Sequence, residues 1–106
     1  MSIDQKLIEE KVKEYRLRVD RYIQELDELT KQIEQEAAAG EMTLEVRDLL
    51  REFHRKKIAM MEETLQHYEE IKALVPGELD NPDVARQEAD MRAAIEEEKE
   101  ELAKYQ

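Results

Sequence analysis

The chain has 106 residues, 42% of them charged, and a formal net charge of −11 at pH 7. A chain of this length can bury one modest core, so we expect residues 1–106 to form a single helical domain. The acidic balance argues against direct binding to nucleic acid or to an anionic membrane surface, because both would repel the protein.

The chain contains no cysteine, which excludes disulfides and thiolate metal sites and is compatible with a reducing compartment. The first fifteen residues, MSIDQKLIEEKVKEY, carry acids where a signal peptide would have an apolar core. The longest apolar runs, such as IAMM, are too short to cross a bilayer. We therefore expect a cytoplasmic protein that does not associate with membranes.

The first predicted helix spans about residues 3 to 39. Ser2-Ile3-Asp4-Gln5 has the pattern of a capping box, and Gly40 suits the position that follows a helix. Apolar residues recur at alternating steps of three and four, which is the heptad spacing of a coiled-coil seam. The seam consists of Ile8, Val12, Tyr15, Val19, Tyr22, Leu26, Leu29 and Ile33.

The second predicted helix spans about residues 44 to 75, between Thr43 as N-cap and the Pro76-Gly77 break. Two apolar lines run along it. One consists of Leu50, His54, Ile58, Met61, Leu65, Tyr68 and Val75, and the other of Val46, Leu49, Phe53, Met60, His67, Ile71 and Leu74. A helix with two apolar lines has two neighbours, so we expect this helix to be central.

The third predicted helix spans about residues 82 to 105, with Asn81 as its cap and Pro82 in its first turn. Its seam is weaker and includes Val84, Met91, Ile95, Leu102 and Tyr105. Glu88 and Glu98 fall at heptad positions that a buried seam would fill with apolar residues, so we expect peripheral packing. The predicted fold class is all-α: an antiparallel, coiled-coil-like three-helix bundle built on a long helical hairpin.

Charge supports the antiparallel hairpin. Residues 47–57 have a net charge of +3 and would face residues 25–36, with a net charge of −4. Residues 11–21, with a net charge of +3, would face the acidic segment 62–72. Exposed ion pairs contribute only about 0.2–1 kcal/mol each, so this pattern should set orientation more than stability.

The segment REFHRKK, residues 51–57, stands out as cationic in an acidic chain. Our preferred interpretation is that the first helix already neutralises it. An acidic protein partner and a phosphate group are the two alternatives.

Candidate sites for metal binding or catalysis are weak. His67 has Glu63 four residues before it and Glu70 three after, but a di-metal bundle needs Glu-x-x-His on two helices. Ser2 is the only serine, and no glycine-rich phosphate loop occurs. Solvated surface glutamates make poor general acids. We expect no metal, no cofactor and no enzymatic activity.

Unequal helix lengths suggest a binding surface. A third helix folding back along the second reaches only about Glu52, which leaves residues 31–52 as a two-helix tip. Exposed apolar residues of such a tip would mark an interface. The predicted partner-binding residues are Ile33, Met42, Val46, Leu49, Leu50 and Phe53.

Two functional hypotheses follow. The first is a protein-interaction or assembly module that acts through the bundle surface and the tip, with a second copy as the most economical partner, in a two-fold dimer. The second is an acidic mimic that inhibits another protein by occupying its basic, nucleic-acid-binding site.

Overall fold

The computed structural model describes residues 3–75, 77 and 81–106. Helix α1 spans Ile3–Glu36 and continues into a 3₁₀ turn at Ala37–Ala39; α2 spans Leu44–Leu74, and α3 spans Pro82–Ala103. The described residues include no strand. The all-α three-helix bundle is thus confirmed, and α2 is the central helix, packed against both α1 and α3.

Local chemistry sets the helix ends. Gly40 has φ 81°, a left-handed conformation that glycine adopts without a steric cost, and its N–H donates to the Ala37 carbonyl at 2.9 Å. The Thr43 hydroxyl accepts from the Val46 N–H at 3.1 Å, and the Asn81 side chain accepts from the Val84 N–H at 2.9 Å. The expected capping box at Ser2 and the break at Pro76 involve residues outside the described part.

Ion pairs fix the antiparallel register of α1 and α2. Lys56 Nζ lies 2.9 Å from Glu25 Oε2, and Lys11 Nζ lies 3.6 Å from Glu70 Oε2. Between these two pairs, Arg18 contacts Glu63. Cations of each helix therefore meet acids of the other, as the charge blocks predict. The molecule is elongated, with extents of 58 × 24 × 18 Å.

The core is thin. Buried apolar side chains in the described part are Leu29, Val46, Ile58, Ile71 and Ile95. Of the eight predicted seam residues of α1, only Leu29 is buried, and the other seven are half-buried. A hairpin covered by α3 on one side leaves much of its seam at the surface. Among the described residues, no helix is both long and apolar enough to cross a membrane.

Helix α3 packs peripherally, against α2, as expected. Glu88 and Glu98 nevertheless lie within this contact, where both pair with side chains of α2. Glu88 is 5% exposed, and its Oε1 lies 2.5 Å from Lys72 Nζ. Glu98 accepts from Lys57 Nζ at 2.6 Å and lies 2.6 Å from Nδ1 of His54. Carboxylates occupy seam positions here because α2 places cationic side chains opposite them.

Candidate functional site: the hairpin tip

Helix α3 stops short of the α1–α2 turn. The Tyr105 ring stacks on the His54 ring, with centroids 5.7 Å apart and planes 10° from parallel. From His54 to the turn, α2 extends by about 16 Å, at about 1.5 Å per residue. The tip, residues 31–52, therefore consists of α1, α2 and their connection.

Two large apolar side chains are exposed at the end of the tip. Met42 is 58% exposed and Leu44 is 76% exposed. They flank Thr43, whose extended backbone, φ −89° and ψ 168°, begins α2. We call Met42 and Leu44 the apex. The N-cap fixes the backbone that carries them, so the apex is a defined apolar feature of the surface.

The predicted partner-binding residues have different environments. Met42 is exposed, whereas Ile33, Leu49, Leu50 and Phe53 are half-buried. Val46 is 3% exposed and belongs to the core between α1 and α2, so it cannot contact a partner directly. Leu44, the most exposed large apolar residue of the tip, is missing from that set. The available signal was that Leu44 belongs to neither apolar line of α2.

A groove between α1 and α2 runs along one side of the tip. It is lined by Leu49, by two glutamines of α1, and by four carboxylates, Glu36, Glu45, Asp48 and Glu52. We call it the tip groove. Residues 31–52 contain six acidic and three basic side chains, so the tip as a whole is acidic. The heptad pattern does not predict this groove, because the pattern identifies apolar positions and six of the seven lining residues are polar.

A second groove lies nearer the N-terminus of α1. It is lined by Leu17, Arg18, Arg21, Tyr22 and Glu63, and Leu17 is 63% exposed. We call it the Leu17 groove. Burial raises the pKa of Tyr22, and the neighbouring Glu63 and Glu25 raise it further, so the phenol stays protonated at neutral pH. This groove thus combines an exposed apolar side chain with two arginines and a neutral hydroxyl.

The residues weighed as a metal site do not form a ligand set. Glu63 contacts Arg18 and Glu70 contacts Lys11, while the His67 ring stacks on Tyr15. No group of three or more metal-ligating side chains occurs in the described part of the chain. His67 is 7% exposed, and its Nδ1 has no hydrogen-bond partner. Burial lowers its pKa; Arg18 and Lys11 lower it further, and Glu70 opposes them.

The cationic segment 51–57 is shared between two helices, which corrects the expectation that α1 alone neutralises it. Lys56 contacts Glu25 of α1, whereas His54 and Lys57 bind Glu98 of α3. Arg51 contacts Asp48 within α2. Burial raises the pKa of Glu98, but hydrogen bonds from Lys57 and His54 outweigh this effect and hold the pKa below its usual value.

Comparison of the chain with protein-family models, with curated proteins and with solved structures gives no significant match.

Proposed function

We propose that this protein is a non-enzymatic interaction or assembly module that binds a protein partner through its hairpin tip. The observation that supports this proposal most directly is the apex, where Met42 and Leu44 stand exposed on a tip that α3 does not reach. Such an apolar surface, bordered by polar residues, is typical of protein interaction sites.

The tip is suited to binding because it is anchored at both ends of the connection. Gly40 closes the turn after α1, and Thr43 caps α2. Below the apex, Val46 and Leu29 hold α1 and α2 together, at 3% and 6% exposure. A preformed surface loses little conformational entropy on binding, so even a small interface can be specific.

The tip groove favours a second candidate function, an acidic mimic that occupies a basic site on another protein. Its four carboxylates lie along one side of the hairpin, in a chain of net charge −11. A mimic would bind mainly through these carboxylates, and its affinity would fall steeply as salt screens them.

The test compares partner capture by the wild type with capture by Met42→Gln/Leu44→Gln. Ile23→Gln is the matched control, because Ile23 is 53% exposed on α1 and lies away from the tip. We expect the apex variant to lose the partner and the control to keep it. Loss in the wild type between about 0.1 and 1 M salt would favour the mimic, because screening acts on exposed charges. Equal capture by both variants would contradict the apex as the binding surface.

A further inference from the structure

The tip groove and the Leu17 groove lie on the same side of the α1–α2 hairpin. On α1, Arg18 of one groove and a glutamine of the other, Gln32, are two heptads apart, and so are Arg21 and Gln35. Residues separated by whole heptads face the same direction along a coiled-coil pair. The two grooves are centred about 21 Å apart at about 1.5 Å per residue.

Helix α3 packs on the opposite side. It contacts α2 through His54 and Lys57, and His54 follows the groove residue Glu52 by two positions. Two positions correspond to a rotation of about 200° around a helix. We call the side with both grooves the open face, because α3 does not cover it.

The open face has opposite charges at its two ends. Arg18 and Arg21 line the Leu17 groove, with Glu63 as its one acid, and four carboxylates line the tip groove. Midway between them lies Glu25, one heptad from both Arg18 and Gln32, and it is neutralised by Lys56 at 2.9 Å. The same stretch also has one exposed acid, Glu28 on α1, and one exposed base, Arg55 on α2, so its charges cancel. A surface that is cationic at one end, neutral at its middle and acidic at the other end is complementary to an inverted copy of itself.

We propose that a second copy of this chain packs on the open face in a two-fold antiparallel arrangement, with the tip groove of each copy on the Leu17 groove of the other. This inference rests on the proposed function, because it assigns an occupant to the tip groove. The two-fold axis passes near the Glu25–Lys56 pair. In this arrangement Leu17 of each copy lies at the same height along the hairpin as the half-buried Leu49 of the other.

The size of the open face is sufficient for a specific dimer. From Leu17 to Glu36 it is about 29 Å long and about two helix diameters, or 20 Å, wide. Two copies would bury about 1,200 Å² together, at the lower end of stable interfaces. A contact between two tips is less favourable, because each tip has six acids against three bases.

Charge exchange tests the arrangement. The first variant, Leu17→Glu/Arg21→Glu, makes both grooves acidic; the second, Glu45→Lys/Asp48→Lys/Glu52→Lys, leaves Glu36 as the one acid lining the tip groove and makes both grooves cationic. By sedimentation equilibrium we expect a wild-type dimer and a rise of about tenfold or more in the dimer Kd of each variant alone. An equimolar mixture of the two variants should form a heterodimer, because both contacts again pair opposite charges.

Arg86→Glu/Lys99→Glu is the control, since these side chains are 72% and 52% exposed on α3, which packs on the opposite side of the hairpin. It should dimerise like the wild type. Circular dichroism melts of all variants establish that they fold. A wild-type monomer at about 100 µM, where a micromolar Kd would give mostly dimer, overturns the inference. A dimer that neither groove variant weakens also overturns the inference, and so does a mixture of the two variants that stays monomeric. A dimer formed through tip-to-tip contact would be recognised because the first variant would not weaken it.

The two proposals can fail separately. A monomeric wild type that still loses its partner through Met42→Gln/Leu44→Gln would remove the second copy and retain the apex function. A dimer that the charge variants weaken, together with partner capture that Met42→Gln/Leu44→Gln leaves unchanged, would retain the second copy and remove the apex function.

Discussion

The imidazole ring of His67 lies flat against the phenol ring of Tyr15, with centroids 4.1 Å apart and planes 5° from parallel. The Tyr15 hydroxyl lies 2.7 Å from Thr64 Oγ1, one turn before His67. The stacked pair lies in the interface of α1 and α2, between Lys11–Glu70 and Arg18–Glu63. A neutral imidazole suits this position, because a charged ring would be buried beside Lys11 and Arg18.

We predict that acidification destabilises the hairpin through His67. Its pKa is lowered from the ordinary value of 6.5, so the unfolded chain binds the proton more readily than the folded chain. The stabilisation is therefore complete above pH 6.5 and is lost as pH falls through the folded pKa, by about 1.4 kcal/mol per unit of difference. Urea unfolding between about pH 7.5 and 5.5 measures this loss of unfolding free energy.

The control for this prediction is a pair of variants. His67→Gln should flatten the pH dependence in that window, and His54→Gln should leave the part due to His67 in place. An unchanged slope in His67→Gln would show that another group is responsible.

We predict that Glu98→Gln destabilises the protein by about 1–3 kcal/mol, because a half-buried carboxylate that accepts from both His54 and Lys57 is replaced by a neutral amide. Urea unfolding measures the loss. Glu96→Gln is the control: that side chain is 72% exposed and lies 3.6 Å from the exposed Lys99, so the change should stay within about 0.5 kcal/mol. Equal effects of the two substitutions would mean that Glu98 does not anchor α3.

We also predict that the stabilisation due to the Glu98 carboxylate is lost at acid pH. Its pKa is lowered from 4.5, so its stabilisation is present above pH 4.5 and is lost as pH falls through the folded pKa. A ¹³C NMR titration of the glutamate carboxyls should show a pKa of Glu98 below the ordinary value of 4.5. A pKa of Glu98 at or above 4.5 would contradict the hydrogen bonds seen here.

We predict a favourable coupling of about 0.2–1 kcal/mol between Lys56 and Glu25, whose side chains are 26% and 40% exposed. A double-mutant cycle with Lys56→Gln and Glu25→Gln, followed by thermal unfolding, measures it. The coupling should shrink in about 1 M salt because the pair is accessible to screening ions. Strict additivity of the two substitutions at low salt would remove this pair as a determinant of the register.

We predict that Gly40→Ala costs about 1–2 kcal/mol of unfolding free energy, because an L side chain is disfavoured at φ 81° although no atom lies within 4 Å of the added Cβ. Gly40→Asn is the comparison, and it should cost less since asparagine tolerates this conformation better. Equal stability of the alanine variant and the wild type would indicate that the turn adopts another backbone conformation.

Short-range chemistry made the helices predictable. Gly40, Thr43 and Asn81 act on backbone groups within four residues of themselves, so their effect can be inferred from adjacent residues alone. The spacing of the α1 seam gave the face that contacts α2, and the charge blocks gave the antiparallel direction. The observed helix ends differ from the predicted ones by a few residues. For example, the predicted end of α1 at residue 39 is a 3₁₀ turn that follows the last α-helical residue, Glu36.

The site was only partly predictable. The sequence indicated a tip beyond the reach of α3 and an apolar contribution from Met42. It also placed Val46 both on an apolar line of α2 and among the partner-binding residues, and the structure buries this side chain. The tip groove and the Leu17 groove involve polar positions beside the seam. Whether such positions form a groove depends on which residues of the facing helix lie next to them.

The sequence by itself determined three capped helices, their apolar faces and the acidic character of the surface, because each follows from neighbours along the chain. The tertiary structure alone decided that Glu98 bridges His54 and Lys57, that His67 is buried against Tyr15, and that α3 leaves one face of the hairpin open. These contacts join residues more than forty positions apart. They depend on the rotation and register of whole helices, and a single favourable position in one helix cannot specify them.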